Sequence, residues 1–402
     1  MGQQGTRGGG VAGSPAVFSS RQALEALRAL PCGDRVLGVL AEFPDAWIVG
    51  GAVRDALLGR ETLDALPDLD VTVVGDAAAV ARALGPVTEA HERFGTYVVE
   101  TAEGCVVDVV TARTERYDAP GALPEVTPAG LEDDLLRRDF TINALALNAA
   151  GVLHAAPAAL DDLEHRRLRV FHAASFRDDP TRLWRLVRYA VRLGFTPEPA
   201  TDRLAHEAVR HGALRTVSGD RLGAELRLAL REPDPLSALH AAQNLGLVDG
   251  LALDPALVAR ALAILPRAEG RADLTILGAV IPDATWADGW GFDARELAVL
   301  RACAQAVPLD AAAPPSAVAR RLRALPVEAV AVAGARGDGD TALRYLGAWR
   351  HVRLAIDGDD LIAAGVPQGP DVGRRLAATL AARLDGALGD DRDAQLAFGL
   401  NC

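Results

Sequence analysis

The spacing of apolar residues changes once along this chain, near residue 150, and that change limits the folds it can adopt. Before it, helical segments alternate with short strand-like runs, predicted at 47–49, 70–74, 97–100 and 106–110. From Leu160 onward, apolar residues recur at helical spacing and almost no strand pattern remains. The sequence therefore predicts an α+β protein in which a small α/β domain precedes helical domains.

Breaks rich in proline and glycine divide the helical part of the chain. They lie at 196–199, 232–235, 282–291 and 308–315. A chain of 402 residues, half of them apolar, is long enough for two to four domains. We expect a disordered N-terminal tail at 1–22 and four domains, at 23–150, 151–235, 236–310 and 311–402.

Charge and hydropathy indicate whether nucleic acids or membranes are expected as partners. A formal charge of −12 argues against a nucleic-acid partner, but every basic residue is arginine and the arginines cluster at 137–138, 166–169 and 177–192. Such local clusters can bind RNA on an acidic protein. The sequence has neither an apolar run long enough to cross a membrane nor the apolar core of a signal peptide. We therefore expect a cytoplasmic protein that contacts no membrane.

Cysteine spacing gives no sign of a structural metal or of disulfides. Cys32, Cys105, Cys303 and Cys402 are scattered, without a CxxC pair or a neighbouring histidine pattern. Zinc sites and disulfide frameworks both need such spacing. The scattered cysteines fit a reducing cytoplasm.

Two motifs near the start of the α/β domain are compatible with phosphate chemistry. Gly50 and Gly51 separate a strand from a helix, which lets backbone N–H groups approach a phosphate, although a plain turn has the same pattern. Asp68 and Asp70 project from the same face of a strand and can share divalent ions, as two-metal phosphoryl transfer requires. The alternative for the two carboxylates is a solvated pair at the edge of a sheet.

A third carboxylate, Asp108, lies in the otherwise apolar run 106–110, where an unpaired charge is costly to bury. A metal would explain it. A salt bridge to a neighbouring arginine such as Arg113 would explain it equally well.

Six motifs occur in order: GGAVRDALLGR (50–60), DLD (68–70), VDVVTARTERY (107–117), RRDFTINALAL (137–147), DDPTRLWRLVRYAVRLGF (178–195) and SGDRLGAEL (218–226). This set resembles the family of class II tRNA nucleotidyltransferases and bacterial poly(A) polymerases. The resemblance implies a nucleotidyltransferase head at 23–150, then a helical neck, body and tail. It also implies ATP and CTP as substrates, Mg²⁺ as a two-ion cofactor and tRNA, rather than DNA, as partner, with the tail binding tRNA.

The resemblance also implies roles for residues of the head. Asp68 and Asp70 would hold the Mg²⁺ ions, and Asp108 matches the third acidic, catalytic position. The residues expected to bind the nucleotide's triphosphate or sugar are Gly50, Gly51, Arg54, Arg137, Arg138, Asp139 and Asn143.

In the neck, Asp179 and Arg182 match the family's base-selecting pair, and Arg185 and Arg188 are expected to join the nucleotide site. With Pro180 in the first helical turn, the pair is predicted to share one helix face. Cytosine and adenine each present an amine donor beside a ring-nitrogen acceptor, which an Asp acceptor and an Arg donor satisfy together, whereas uracil and guanine reverse this order. The alternative is an exposed ion pair within a helix.

Two features of the sequence concern how much of the CCA end is built. In the linker after RRDFTINALAL, the stretch 154–163 has alanines where the family usually has a Gly-Gly hinge, and the predicted loop 118–130, which precedes a predicted RRDFTINA helix, contains no arginine. Full CCA addition is the default expectation. The alternatives are an enzyme that adds only CC or only A, a poly(A) polymerase, which usually carries basic extensions, and a non-catalytic RNA-binding relative.

Overall fold

The computed structural model of the protein describes residues 17–60 and 69–402, so most of the predicted N-terminal tail and the predicted ligand Asp68 lie outside the described residues. The chain divides into two compact units, and the boundary between them along the sequence lies between Val217 and Ser218. This division falls inside the segment 151–235 that was predicted as the neck. Within the described ranges, no helix is both long and apolar enough to cross a bilayer.

A mixed sheet of seven strands forms the first unit, in the spatial order β3-β4-β5-β2-β1-β8-β9. Only β2 and β5 pair in parallel; the other neighbours are antiparallel. The strands are β1 (Ala46–Val49), β2 (Leu69–Val73), β3 (Val87–His91), β4 (Thr96–Glu100), β5 (Val106–Thr111), β8 (Leu145–Leu147) and β9 (Leu153–Ala155). The strand predictions at 47–49, 70–74, 97–100 and 106–110 are confirmed, because alternation of apolar residues buries Val71, Val107 and Val109 completely.

The short helices of this part of the chain pack around the sheet. They are α1 (Ser20–Arg28), α2 (Gly33–Leu40), α3 (Gly51–Leu57), α4 (Ala77–Leu84) and α5 (Leu131–Leu136). Helix α1 begins with a capping box between Ser19 and Gln22, in which each side chain bonds the other residue's backbone N–H.

Two predictions of local structure were wrong. The segment 118–130 is not one loop, because β7 (Glu125–Pro128) pairs with β6 (Arg113–Arg116) as a separate hairpin. The RRDFTINA motif is not a helix. Its two arginines follow the end of α5, a turn of 3₁₀ helix spans Thr141–Asn143, and the chain then enters β8. The backbone of this motif is extended or tightly turned because Phe140 and Ile142 must both reach the core.

After the sheet, the first unit becomes helical, as predicted from the change in spacing. It contains α6 (Ala159–Glu164), α7 (Ser175–Asp178), α8 (Arg182–Leu193) and α9 (Pro199–Arg210), with one short parallel pair between β10 (Arg167–Leu168) and β11 (Thr196–Pro197). Helix α8 buries the apolar side chains Leu183, Trp184, Leu186 and Val187. It ends at Gly194, whose φ of 68° suits a left-handed cap.

The second unit is helical throughout its length. Its helices are α10 (Gly219–Leu230), α11 (Pro235–Leu245), α12 (Pro255–Ile264), α13 (Ala272–Val280), α14 (Ala294–Ala304), α15 (Pro315–Leu322), α16 (Val327–Arg336), α17 (Gly339–Gly347), α18 (Gly358–Ala363), α19 (Pro370–Leu384) and α20 (Arg392–Asn401). Glycines in the motif SGDRLGAEL have a packing role, because a Cβ at Gly219 or Gly223 would overlap the backbone of Gly289 or Trp290.

Candidate active site

Two of the three predicted carboxylates lie side by side in the sheet. Asp70 on β2 and Asp108 on β5 are direct register partners, and neighbouring strands are about 4.8 Å apart. Since the strands are parallel, both side chains leave the same face. Asp70 is exposed and Asp108 is half-buried. Asp68 lies outside the described residues, and within residues 17–60 and 69–402 no group of three His, Cys, Asp or Glu side chains is arranged to hold a metal.

The Gly-Gly turn brings the backbone close to these carboxylates. Gly50 has a φ of 73°, a conformation that favours glycine, and a Cβ there would lie 3.1 Å from Arg138 Nη1 and 3.5 Å from Asp70 Oδ2. Strand β1 ends just before it, and Val49 is opposite Asp70. The predicted phosphate-binding turn, one predicted arginine and one predicted carboxylate are therefore brought together.

A buried network joins the sheet domain to α8. Arg54 Nη1 donates to Asn143 Oδ1 (2.6 Å), and Asn143 Nδ2 donates to Asp139 Oδ1 (3.0 Å). Arg185 Nε donates to the other oxygen of Asp139 (2.6 Å). Burial alone would raise the pKa of the Asp139 carboxyl, but Arg185 and the hydrogen bond from Asn143 outweigh it, so the pKa lies below its ordinary value. Four predicted site residues thus form one chain of contacts.

The ring of Tyr189 lies within this network. The guanidinium groups of Arg54, Arg185 and Arg192 lie 5.4, 5.5 and 6.0 Å from its centroid, and Arg185 Nη2 also donates to its hydroxyl (2.9 Å). Arg188, another predicted site residue, is buried on the same helix. Helix α8 thus concentrates positive charge beside the Gly-Gly turn's arginine, Arg54.

A buried carboxylate, Asp134, holds the two arginines of the RRDFTINA motif. Arg137 donates to its Oδ1 through Nε (2.9 Å) and Nη2 (2.8 Å), and Arg138 Nη2 donates to its Oδ2 (2.9 Å). Burial would raise the pKa of the Asp134 carboxyl, but the two guanidinium groups lower it below its ordinary value. Arg138 is thereby fixed with its Nη1 toward Gly50.

The proposed base-reading pair has a different local structure from the one predicted. Asp179 is not in a helical turn: it lies between α7 and α8 with an extended φ of −131°, and α8 begins only at Arg182. Pro180 therefore precedes the helix. Arg182 is buried, and its guanidinium donates to Ser175 Oγ (2.7 Å) and to the Arg137 carbonyl oxygen (2.9 Å). The alternative of an exposed helix ion pair is wrong for that reason.

The linker that carries Ala158 and Ala159 has an unusual backbone. Ala158 has φ 65° and ψ −5°, in the left-handed region that L residues other than glycine rarely adopt. Ala159 is fully buried. Just after them, the buried Asp162 accepts hydrogen bonds from Thr141 Oγ1 (2.8 Å) and Arg169 Nε (2.8 Å). These bonds connect the end of the linker to a residue that precedes it and to one that follows it in the sequence.

Comparison with known proteins identifies the family. The sequence pattern described as the Poly A polymerase head domain matches residues 46–169. An A-adding tRNA nucleotidyltransferase of Geobacter sulfurreducens is 36% identical over 85% of this chain and 43% of its own length. A CC-adding tRNA nucleotidyltransferase of Deinococcus radiodurans is 33% identical over 90% of this chain and 94% of its own. The chain belongs to the class II tRNA nucleotidyltransferase family.

A solved structure extends this similarity. A CCA-adding enzyme in complex with ATP is 27% identical, with a TM-score of 0.75, and the match covers 96% of this chain and 99% of that one. The predicted α+β architecture, a small head followed by helices, is therefore confirmed for this chain. The chain spans less than half the length of the Geobacter relative.

Three residues that contact the predicted site residues were not predicted from the sequence. Asp134 precedes Arg137 and Arg138 by three and four residues, a spacing that could have revealed it. Tyr189 follows Arg185 by four residues on α8 and had the same signal. No spacing in the sequence indicated Ser175, because its hydrogen bond to Arg182 joins two separate helices.

Proposed function

We propose that this protein is a template-independent enzyme that transfers nucleotides from CTP and ATP to the 3′ end of tRNA, building all or part of its CCA end. The observation that carries the proposal is the pair Asp70 and Asp108 beside Gly50 and Arg138, which combines two carboxylates with a glycine turn and a fixed cation. The names of the relatives from Geobacter and Deinococcus, and the ATP bound by the solved CCA-adding enzyme, support it.

The carboxylates fit a divalent metal. Asp70 and Asp108 offer oxygen ligands from register positions on neighbouring strands, and such oxygens are the ligands that Mg²⁺ prefers. We assign Asp68 and Asp70 as the ligands of two Mg²⁺ ions and Asp108 as the third, catalytic carboxylate. When bound, the ions supply a lower pKa for the attacking 3′ hydroxyl and compensation for charge on the leaving pyrophosphate.

The arginines and glycines of the head orient the nucleotide. Gly50 and Gly51 present backbone without a side chain, so the triphosphate can lie against the turn between Arg54 and Arg138. Asp134 holds Arg137 and Arg138 in place, while Asp139 and Asn143 hold Arg54 and Arg185. Positioning of this kind provides much of the rate enhancement in phosphoryl transfer.

Asp179 and Arg182 select the base. We assign the Asp179 carboxylate as acceptor for the exocyclic amine of cytosine or adenine and the Arg182 guanidinium as donor to the ring nitrogen. Uracil or guanine would place acceptor against acceptor and donor against donor, which a buried site penalises strongly. The burial of Arg182 supports this assignment, because the penalty requires exclusion of water.

The tail, 311–402, provides the surface that binds tRNA. Between Pro314 and Arg353 the chain has seven arginines and only three acidic residues, in a protein whose formal charge is −12. Arg320, Arg323, Arg344 and Arg353 are exposed. Phosphate contacts from such arginines give nucleic-acid affinity without sequence preference. We therefore assign the tail, 311–402, as tRNA-binding.

The four cysteines are free thiols, which are typical of a reducing compartment. We therefore place the enzyme in the cytoplasm.

A test of the enzymatic function is incorporation of labelled ATP or CTP into tRNA that lacks its CCA end, with and without Mg²⁺. The proposal expects metal-dependent labelling of the tRNA and release of pyrophosphate. Binding of tRNA without labelling under any divalent metal would contradict it and would favour the non-catalytic alternative.

Two observations favour a narrower activity, addition of only CC or only A. To change from CTP to ATP, one pocket must move Asp179 and Arg182 relative to the metal carboxylates, and the linker between them contains Ala158 in a strained left-handed conformation. Alanine restricts the neighbouring backbone angles that glycine would allow. Segment 118–130 also contains no arginine that could contact the base during that change.

The two activities differ in their products. The purified enzyme is offered three tRNAs, ending before CCA, after one C and after CC, with ATP and CTP together. Complete CCA ends on the shortest tRNA at an ordinary ratio of enzyme to tRNA would exclude the narrower activity. A stop after CC, or reaction of the CC-ended tRNA alone, would establish it.

A further inference from the structure

Ser175 contacts both residues of the base-reading pair. Its hydroxyl oxygen accepts a hydrogen bond from Arg182 Nη1 (2.7 Å), and its carbonyl oxygen accepts one from the backbone N–H of Asp179 (3.1 Å). Ser175 is fully buried at the start of α7, and Arg182 is 5% exposed. A side-chain contact and a backbone contact of one residue therefore reach both positions that read the base.

The remaining contacts make this arrangement rigid. Arg182 Nη2 donates to the Arg137 carbonyl oxygen (2.9 Å), so two fixed acceptors define the plane of the guanidinium. The Asp179 carboxylate accepts from the N–H (3.1 Å) and hydroxyl (2.7 Å) of Thr181. Among the described residues, Arg182 has two hydrogen-bond acceptors; the Ser175 hydroxyl can be removed by a side-chain substitution, whereas the Arg137 carbonyl oxygen belongs to the backbone.

We propose that Ser175 is a positioning residue for base selection: it sets the orientation of the Arg182 guanidinium relative to the Asp179 carboxylate. The inference rests on the proposed role of this pair. Discrimination against uracil and guanine depends on a donor that cannot turn away from a mismatched group. Without the hydroxyl, the guanidinium is held at one end only and can rotate to accommodate the wrong base.

The test substitutes Ser175→Ala, which removes the hydroxyl and leaves the backbone contact to Asp179 intact. We expect the ratio of kcat/KM for CTP over UTP to fall about tenfold, the scale of one hydrogen bond, while kcat/KM for CTP falls less than about threefold. Ser175→Cys retains a weaker acceptor at the same position and is expected to give a ratio between those of the parent and Ser175→Ala.

A matched control removes another buried hydroxyl from the same unit. Thr201 Oγ1 accepts from the Val170 N–H (3.2 Å), and Thr201 is 1% exposed. Thr201→Val should lower the melting temperature by an amount similar to Ser175→Ala but leave the CTP-to-UTP ratio unchanged. A structural role alone would give both variants the same profile.

Arg182→Ala separates failure of this inference from failure of the proposed function. If Arg182→Ala relaxes base choice and a folded Ser175→Ala variant keeps the parent's ratio, the positioning role is wrong and the base-reading assignment remains. If Arg182→Ala also keeps the parent's ratio, the base-reading assignment is wrong and the role of Ser175 falls with it.

Discussion

Asp70 and Asp108 are direct partners across the parallel strands β2 and β5, and Asp70 is also opposite Val49, the last residue of β1 before Gly50. The register therefore places two carboxylates on one face of the sheet where the chain makes its Gly-Gly turn. Neither carboxylate is part of the apolar core. Their loss should accordingly harm chemistry much more than folding.

Replacing Asp70 or Asp108 by alanine should remove nearly all nucleotide addition, by about a thousandfold or more, because carboxylates at a metal site act on the transition state. Steady-state incorporation of labelled CTP measures the loss, and melting temperature and tRNA affinity should change little. Glu100→Ala, an exposed carboxylate on β4 of the same sheet, is the control and should stay close to the parent. Activity within about tenfold of the parent in Asp70→Ala would refute the assignment.

Asp179→Ala and Arg182→Ala should relax base choice, so that UTP or GTP is incorporated, with a smaller loss of rate than at the carboxylates. The reason is that each change removes one partner of the base and the penalty for a mismatched one. The measurement is kcat/KM for each of the four nucleotides. Unchanged discrimination in both variants would mean that base selection resides elsewhere.

Ala158→Gly should stabilise the protein relative to Ala155→Gly by about 1–2 kcal/mol. The first change relieves a left-handed backbone at Ala158, whereas the second only adds freedom to the unfolded chain at an exposed position in β9. Urea denaturation of both variants measures the difference. If the linker limits the change from CTP to ATP, Ala158→Gly should also yield longer products. Equal stabilities would show that Ala158 is not strained.

Asp134→Asn should destabilise the protein by about 2–4 kcal/mol at pH 7, because two guanidinium groups lose their buried counter-charge. It should also raise KM for CTP, since Arg138 is no longer fixed beside Gly50. Nucleotide kinetics at pH 7 measure this second effect. A variant with parental stability and KM would exclude the proposed positioning of Arg138.

Asp134→Asn should also change how the free energy of unfolding depends on pH in the acid range. The folded-state pKa of Asp134 is below its ordinary value of about 3.9, so the ionised carboxylate contributes stability above about pH 4 that is lost as pH falls through the folded pKa. The parent should therefore lose more stability than Asp134→Asn between pH 5 and the acid limit of folding. Parallel acid limbs in denaturation curves would contradict this direction.

Removing exposed arginines from the tail should weaken tRNA binding and its dependence on salt. In the triple variant Arg320→Gln, Arg323→Gln and Arg344→Gln, the slope of log K against log salt should shrink by about two to three, if each side chain neutralises one phosphate. Filter binding at several salt concentrations measures the slope.

The control for that variant has the same change of charge elsewhere. Three other exposed arginines, Arg28, Arg82 and Arg301, are replaced by glutamine together. This control should keep the parental slope. If both triple variants reduce it equally, the effect is one of overall charge and the tail does not contact the phosphates.

Local pattern was enough to predict the strands that carry the carboxylates, because alternation in 70–74 and 106–110 marks the buried face of a sheet directly. It could not predict that Asp70 and Asp108 are register partners, since strand pairing depends on the whole sheet. RRDFTINA was predicted as a helix and is not one, because burial of Phe140 and Ile142 overrides local helical spacing.

In the site, too, the residues could be predicted from local motifs but the contacts between them could not. Arg54, Asp139, Asn143 and Arg185 were predicted from motifs, and their mutual hydrogen bonds were seen only in the structure. Pro180 was expected inside the first helical turn, but the backbone of Asp179 is extended and the helix begins two residues after the proline. Contacts between elements, such as Ser175 with Arg182, have no signature in a single sequence.

The most direct test of the proposed activity is to sequence the 3′ ends of tRNA after incubation of a CCA-lacking transcript with the purified protein, Mg²⁺ and all four nucleotides. We predict that the added residues are only C and A, at most three, and in the order of the CCA end or a part of it. Long runs of A, frequent U or G, or unextended tRNA would contradict the account.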